Sequence, residues 1–398
     1  MGRRRKKRAF WSKNIFLWVN RDVLQYPCSL HFYEYEAKRN ERQRQKRSSV
    51  KPREGMADEH GGRRRVALPW AVRIPLCLLE AAIDASQRRD GSVNRSLFAL
   101  FDRCAAANPR PDAAGVSSRD VTVDVSRGLR ARVFTPPVEG RPLPVIVYFH
   151  GGGFSMFSAA SRPFDAHCRN LCGGAGAVVV SVDYRLAPEH RFPAAYDDGE
   201  AVLRYLGASG LLPDEVDLSA CFLAGDSAGG NIAHHVAQRW TASTAPPSEN
   251  PVHLAGVILL EPFFGGEERT SAERALDGVA PVVNIRRSDR WWKAFLPEGA
   301  DRNHPAVHVT GDAGPEPELT EAFPPAMVVV GGHDPLQDWG RRYACMLEQK
   351  GKAVRVVELP EAIHAFYLFP ELAGDNRKLV DEIRAFVEES IIKGQVVH

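Results

Sequence analysis

Residues 221–236 read Cys221-Phe222-Leu223-Ala224-Gly225-Asp226-Ser227-Ala228-Gly229-Gly230-Asn231-Ile232-Ala233-His234-His235-Val236, and this stretch decides the fold. Cys221–Ala224 is a short apolar run, as expected of a strand buried on both faces of a parallel sheet. Ile232, Ala233 and Val236 then recur at helical spacing. Between strand and helix, Ser227 occupies a sharp turn whose backbone is bent tightly. Gly225 and Gly229, two before and two after, supply the room that bend needs. The turn lifts the hydroxyl above a sheet, and the helix N-terminus behind it favours a nearby negative charge. An ordinary glycine-rich turn is the bland alternative. The strand before and the helix after count against it and for a nucleophile elbow.

Outward from the elbow the same strand–loop–helix rhythm repeats. Further candidate strands are Val145–Phe149, Ala177–Val182, Ala255–Leu260, Ala326–Val330 and Ala353–Leu359. Trp339, Tyr343 and Met346 carry helical spacing between two of them. A last helix holds Leu379, Ile383, Phe386 and Val387. Val121, Val123 and Val125 alternate before a turn at Ser126-Arg127-Gly128 and a return strand at Ala131–Phe134, the pattern of a hairpin. Trp70, Ile74, Cys77, Leu78 and Ala81 fall at helical spacing, as do Leu97, Leu100 and Phe101 after the Asp90-Gly91 turn. Residues 263–323 break the rhythm and contain Trp291 and Trp292, so they are expected to form a cap insertion. The pattern predicts an α/β fold: a central, mostly parallel sheet flanked by helices, with an N-terminal helical lid and a cap insertion.

The chain has 398 residues, 44% hydrophobic and 25% charged. That mixture excludes a wholly disordered chain, a collagen and a disulfide scaffold. Charge divides the molecule. Residues 1–55 carry 16 Lys and Arg against 5 Asp and Glu, a net of +11, which leaves 36 basic and 44 acidic residues, a net of −8, for 56–398. The acidic body argues against nucleic-acid binding there. The basic segment opens with Arg3-Arg4-Arg5-Lys6-Lys7-Arg8, a run suited to nuclear localisation. It is read here as a disordered extension, or as sequence upstream of a start at Met56, because globular patterning begins just after that residue. The expected organisation is therefore an extension at 1–55, a helical lid segment at 56–115 and a catalytic domain at 116–398.

Asn14–Val19 is too short an apolar run for a secretory signal. Val66–Ile83 contains Pro69, Arg73, Pro75 and Glu80, which argues against a membrane span. A cytoplasmic location follows, with the nucleus added if the basic run is functional. Cys28, Cys77, Cys104, Cys168, Cys172, Cys221 and Cys345 make an odd set without a CxxC, read as reduced thiols rather than as a zinc site or a disulfide framework.

Two further loops carry chemistry, each following a candidate strand, where open α/β sheets place ligands. His150-Gly151-Gly152-Gly153-Phe154 lets the main chain approach a ligand closely and turn N–H groups inward. Gly152 and Gly153, with the N–H of Ala228, are the expected oxyanion hole. As a phosphate loop the segment fails, since no GK[ST] follows. His150 is expected to brace this loop by hydrogen bonding. A serine hydroxyl needs an imidazole to take its proton and an acid to orient that imidazole. Asp334 follows Ala326–Val330 in Gly331-Gly332-His333-Asp334-Pro335, whereas its rival Asp338 is better suited to starting a helix. His364 follows the last strand. His333 is a poorer base, because adjacent side chains on an extended segment point apart.

These residues resemble the hormone-sensitive-lipase-like branch of the α/β-hydrolases, and most closely the plant carboxylesterases. The resemblance runs over Leu68–Ile392 and includes Asp183-Tyr184-Arg185-Leu186-Ala187-Pro188-Glu189-His190, Trp291-Trp292-Lys293-Ala294-Phe295-Leu296-Pro297 and Asp90-Gly91-Ser92-Val93-Asn94-Arg95. It implies a serine esterase with Ser227, Asp334 and His364 as triad, acting on a small, fairly hydrophobic carboxylic ester without metal or organic cofactor. The same family includes the gibberellin receptors, which keep the glycine loop and the elbow but replace the catalytic histidine with an apolar residue. It also includes a dehydratase branch. His364 favours catalysis. The basic segment at 1–55 has no counterpart in the family's pattern.

Overall fold

A computed structural model describes residues 66–137, 140, 142–208, 212–213, 215–243, 252–311 and 318–397. The extension at 1–55 and Met56 lie outside the described residues. The chain enters through helix α1 (Trp70–Ser86) and a single turn, α2 (Arg95–Phe98). It continues through β1 (Ser117–Asp124), β2 (Leu129–Thr135), β3 (Leu143–Phe149), α3 (Arg162–Ala175), β4 (Val178–Asp183), α4 (Ala194–Ala208), β5 (Val216–Asp226) and α5 (Ala228–Ala242). The second half runs β6 (Leu254–Leu260), α6 (Ser271–Leu276), α7 (Ile285–Phe295), β7 (Ala326–Gly331), α8 (Gln337–Gln349), β8 (Val354–Leu359) and α9 (Ala373–Val397).

The strands form one eight-stranded sheet in the order β1-β2-β4-β3-β5-β6-β7-β8. The β1–β2 hairpin and the β2–β4 pair are antiparallel, and all other pairs are parallel. Every residue of β3 and β7 is buried, because helices cover both sheet faces. Val145, Val147 and Phe149 pack with Ile232 and Val236 of α5 on one face. Ile146 and Tyr148 pack with Phe164 and Leu171 of α3 and Leu379 and Ile383 of α9 on the other. Each such Val, Leu or Ile contributes on the order of 1.5–3 kcal/mol through burial.

Register brings the chemistry to one edge. Phe149 pairs with Gly225, Asp226 with Leu260, Leu260 with Val329 and Gly331 with Leu359. The segments carrying His150, Ser227, Asp334 and His364 therefore all leave the sheet at its carboxyl end.

Helix α1 forms as its periodicity predicts, but the residues that reveal it in the sequence mostly face water. Ile74 is 56% and Leu78 57% exposed, while Val72, Leu76, Ala82 and Ile83 are buried. Spacing identifies a helix; it does not choose between two apolar faces. The choice is made by Glu80 and Asp84, which turn toward Arg287 of α7. In the next turn, Asn94 caps α2 by accepting the Leu97 N–H at 3.1 Å, and Phe98 rather than Leu100 or Phe101 is the buried side chain. Among the described residues no helix is long and apolar enough to cross a membrane. Cys168 and Cys172 are free, buried thiols on one face of α3.

Candidate active site

Ser227 sits at φ 51°, ψ −117° immediately before α5. That left-handed backbone is costly for a residue with a side chain and is pinned from both directions. The Ser227 N–H donates to the Leu260 carbonyl at 2.9 Å, and its carbonyl accepts from Phe263 N at 2.8 Å. A Cβ at Gly229 would stand 1.8 Å from the Phe149 carbonyl oxygen, and one at Gly225 would stand 2.3 Å from the Gly229 oxygen. The two glycines around the serine are thus required by close approach. Ser227 remains 8% exposed.

The glycine loop is held between two supports. Beneath it, Asp226 Oδ1 accepts the Gly151 N–H at 2.9 Å and the Tyr148 hydroxyl at 2.7 Å. Above it lies the Trp291 indole, which a Cβ on Gly153 (φ 59°) would strike at 2.3 Å. His150 braces the loop, as expected: Nδ1 lies 2.8 Å from the Gly151 carbonyl, and the ring stacks on Tyr184, whose hydroxyl donates to the His150 carbonyl at 2.7 Å. Burial pushes the His150 pKa down. Among the described residues, no turn or loop backbone bond uses the N–H of Gly152, Gly153 or Ala228. Arg95 joins two more of the motifs to this loop, donating to the Ser155 carbonyl, to Ala187 O at 2.6 Å and to Glu189 Oε2 at 2.6 Å.

Asp334 and His364 meet. His364 Nδ1 donates to Asp334 Oδ2 at 3.0 Å, both side chains being buried. Asp334 Oδ1 accepts the Leu336 N–H at 2.9 Å, which fixes the carboxylate. His333 turns outward, with Nε2 3.5 Å from Glu361. Asp338 lies in the first turn of α8 and accepts the Ala272 N–H at 2.8 Å. Burial alone would lower the His364 pKa, but Asp334, Glu261 and Asp226 outweigh it and raise the imidazole to about 9. Tyr367, three residues on, donates to Asp226 Oδ2 at 3.2 Å. That bond ties the His364 segment to the residue beside Ser227. Burial raises Asp226 to about 6, against the opposing pull of Tyr148, His364 and Tyr367.

Sequence reasoning missed Glu261. It ends the apolar run of β6, and a lone acid at a strand's carboxyl end is the signal that could have found it. Glu261, Asp334 and His364 offer donor atoms within 4.8 Å of one another, the one such set among the described residues. A cation there would have to displace the His364–Asp334 hydrogen bond. A separate cavity of about 410 Å³ lies between α7 and the loop after it, lined by Asp90, Arg191, Asp289 and Arg302 among others. None of the three expected catalytic side chains lines it.

Fold and site together define a class. The family described as the alpha/beta hydrolase fold matches residues 146–368, and the chain belongs to it. Within that class its relatives include both enzymes and receptors. The chain is similar to gibberellin receptor GID1C of Arabidopsis thaliana, 42% identical over 340 residues, which cover 81% of this chain and 95% of the receptor. It is similar to carboxylesterase 20 of the same plant, 37% identical over 283 residues, or 68% and 84% of the two chains. Among solved structures, an esterase of Pyrobaculum calidifontis is 28% identical, with 81% of this chain and 99% of the esterase covered and a TM-score of 0.61. The resemblance to the hormone-sensitive-lipase-like plant carboxylesterases is borne out, and the chain is an esterase-like alpha/beta hydrolase.

Proposed function

We propose that the protein is a serine carboxylesterase acting on small, fairly hydrophobic carboxylic esters. The observation that carries this reading is the buried hydrogen bond from His364 Nδ1 to Asp334 Oδ2 at the sheet edge that also presents Ser227. In the proposed mechanism Ser227 Oγ attacks the ester carbonyl while His364 takes its proton through Nε2. Asp334 holds the imidazole and offsets its positive charge. The N–H groups of Gly152, Gly153 and Ala228 receive the developing oxyanion, where one such donor is worth about 100- to 1000-fold in turnover. His364 then protonates the leaving alcohol, and water repeats the sequence on the acyl-enzyme. The aromatic residues beside the loop, Phe154 and Trp291, suit an apolar substrate.

A second reading has support of its own. The similarity to a gibberellin receptor covers 81% of the chain, and a receptor of that type would bind a carboxylate-bearing hormone without turning it over. One experiment separates the two. The full chain is assayed on p-nitrophenyl esters of graded acyl length, treated with a fluorophosphonate, and titrated with gibberellin. An esterase hydrolyses the esters and is labelled on Ser227. No turnover on any ester, together with saturable gibberellin binding that survives His364→Val, overturns the esterase reading.

A further inference from the structure

Glu261 follows the last residue of β6 in Leu260-Glu261-Pro262, with its backbone at φ 46°. Its side chain is fully buried. Oε2 accepts the Ala365 N–H at 2.7 Å and lies 3.7 Å from His364 Nδ1. Ala365 has a left-handed backbone as well, at φ 64°. One hydrogen bond therefore joins two residues held in a conformation that side chains resist, and the second of them is the neighbour of His364. Space has been made for this acid: β7 ends in Gly331, where a Cβ would stand 2.3 Å from Glu261 Oε1. Among the described residues Oε1 has no hydrogen-bond partner. A leucine would fill the same volume without burying an unpaired oxygen, so the carboxyl answers to something other than packing.

The titratable groups around Glu261 are Asp226 at the end of β5, Asp334 after β7, and His364 and Tyr367 after β8. Burial, and next the charge of Asp334, drive the Glu261 carboxyl well above the usual range. What it offers Ala365 is an acceptor oxygen, Oε2, at 2.7 Å.

We propose that Glu261 is a positioning residue: its carboxyl pins the strained Ala365 backbone and thereby holds the His364 imidazole against Asp334. The proposal rests on the hydrolase reading of the same site. Glutamine carries an equivalent acceptor oxygen, whereas leucine of similar size carries none, so the two substitutions separate the acceptor from the volume.

The test compares the full-length wild type, Glu261→Gln and Glu261→Leu, each first checked for folding by circular dichroism. Three quantities are read: kcat and KM on p-nitrophenyl acetate, the pH midpoint of kcat/KM, and the low-field NMR resonance of the proton between His364 Nδ1 and Asp334. Misplacing a catalytic group by about an ångström costs on the order of 100-fold, so Glu261→Leu should lose about 10- to 100-fold in kcat, with KM changed by less than about twofold. It should also lose the low-field resonance. Glu261→Gln should keep the resonance and stay within about threefold of wild-type kcat, and any movement of its pH midpoint should be downward, because Glu261 is one of the acids that raise His364. Wild-type kcat in Glu261→Leu with the resonance intact overturns the proposal. So does a Gln variant as impaired as the Leu variant, because the charge would then be what matters. If Glu261→Leu does not fold, Glu261→Met, which also lacks an acceptor oxygen, takes its place under the same criteria. A wild type without ester turnover breaks the esterase reading instead. The resonance then still decides for Glu261: its loss in Leu and survival in Gln support the positioning role, and its survival in Leu overturns it.

Discussion

Beneath the glycine loop and above it the molecule is built from different materials. The layer beneath consists of strand ends carrying Asp226, Glu261 and Asp334, three buried acids. Each takes hydrogen bonds from neighbouring groups: Tyr148 and Gly151 bond Asp226, Ala365 bonds Glu261, and His364 bonds Asp334. The layer above is helix α7, which lays Trp291 on Gly153 and is fastened to α1 by Arg287. That guanidinium donates to Glu80 Oε1 at 2.9 Å and to Asp84 Oδ2 at 2.8 Å. Both acids are about a third open to water, at 28% and 32%. A charge sealed from water interacts several-fold more strongly with its neighbours than one at the surface. The lower layer can therefore shift proton affinities, while the upper layer is a fastening that salt and water weaken.

The largest effect should come from the lower layer. Ser227→Ala and His364→Gln should each lower kcat by roughly 10,000-fold or more, and the double variant should be little worse, because such residues act as a unit. Fast hydrolysis that survives both changes would show that the buried acids serve packing alone. The base must be neutral to accept a proton, and the acids around His364 hold its proton more tightly. The rising limb of kcat/KM against pH should therefore lie above 6.5, toward about 9. Asp334→Asn should move that limb to lower pH and cut kcat by about 10,000-fold.

Next in size is a stability effect. Asp226 titrates near 6 in the folded protein against 3.8 for the ordinary carboxyl. Folding thus favours its protonated form, a contribution present below about pH 4 and lost as pH rises through 6. At about 1.4 kcal/mol per unit, the loss is on the order of 3 kcal/mol. Urea unfolding at pH 4 and pH 7 should show a smaller difference between the two pH values for Asp226→Asn than for wild type. An equal difference would mean that the carboxyl ionises freely.

The upper layer should respond more mildly. Arg287→Met should cost about 1–3 kcal/mol, less than a fully buried pair would, because Glu80 and Asp84 are partly hydrated. Its thermal midpoint should depend less on salt than that of wild type, and KM should rise more than kcat falls. A kcat loss as large as that of Asp334→Asn would erase the distinction between the layers. The smallest effect belongs to the outer face of α1. Ile74→Ser and Leu78→Ser should each change stability by no more than about 0.5 kcal/mol. A larger loss in thermal midpoint would place those side chains inside.

Much of the site is legible in the chain, and the reason is local. Gly225 and Gly229 flank Ser227 because the turn admits nothing larger, so the elbow is written in adjacent residues. Asp334 follows an apolar run that forms a fully buried strand, His364 follows the partly buried edge strand Val354–Leu359, and loops at strand ends of an open α/β sheet converge. Glu261 was not legible, although it also follows such a run. Its role depends on Ala365, far along the chain, and on the space above Gly331.

The sequence by itself determined the strands, the elbow and the order Ser227, Asp334, His364, because strand and helix periods and glycine sterics act over a few residues. Only the tertiary structure decided which face of α1 is buried, since both are apolar and the choice falls to Arg287 two hundred residues away. It alone decided, too, that Asp226, Glu261 and Asp334 surround one imidazole. That arrangement follows from the register of β5, β6, β7 and β8, and proton affinity there depends on distance and water exclusion, which no spacing along the chain encodes.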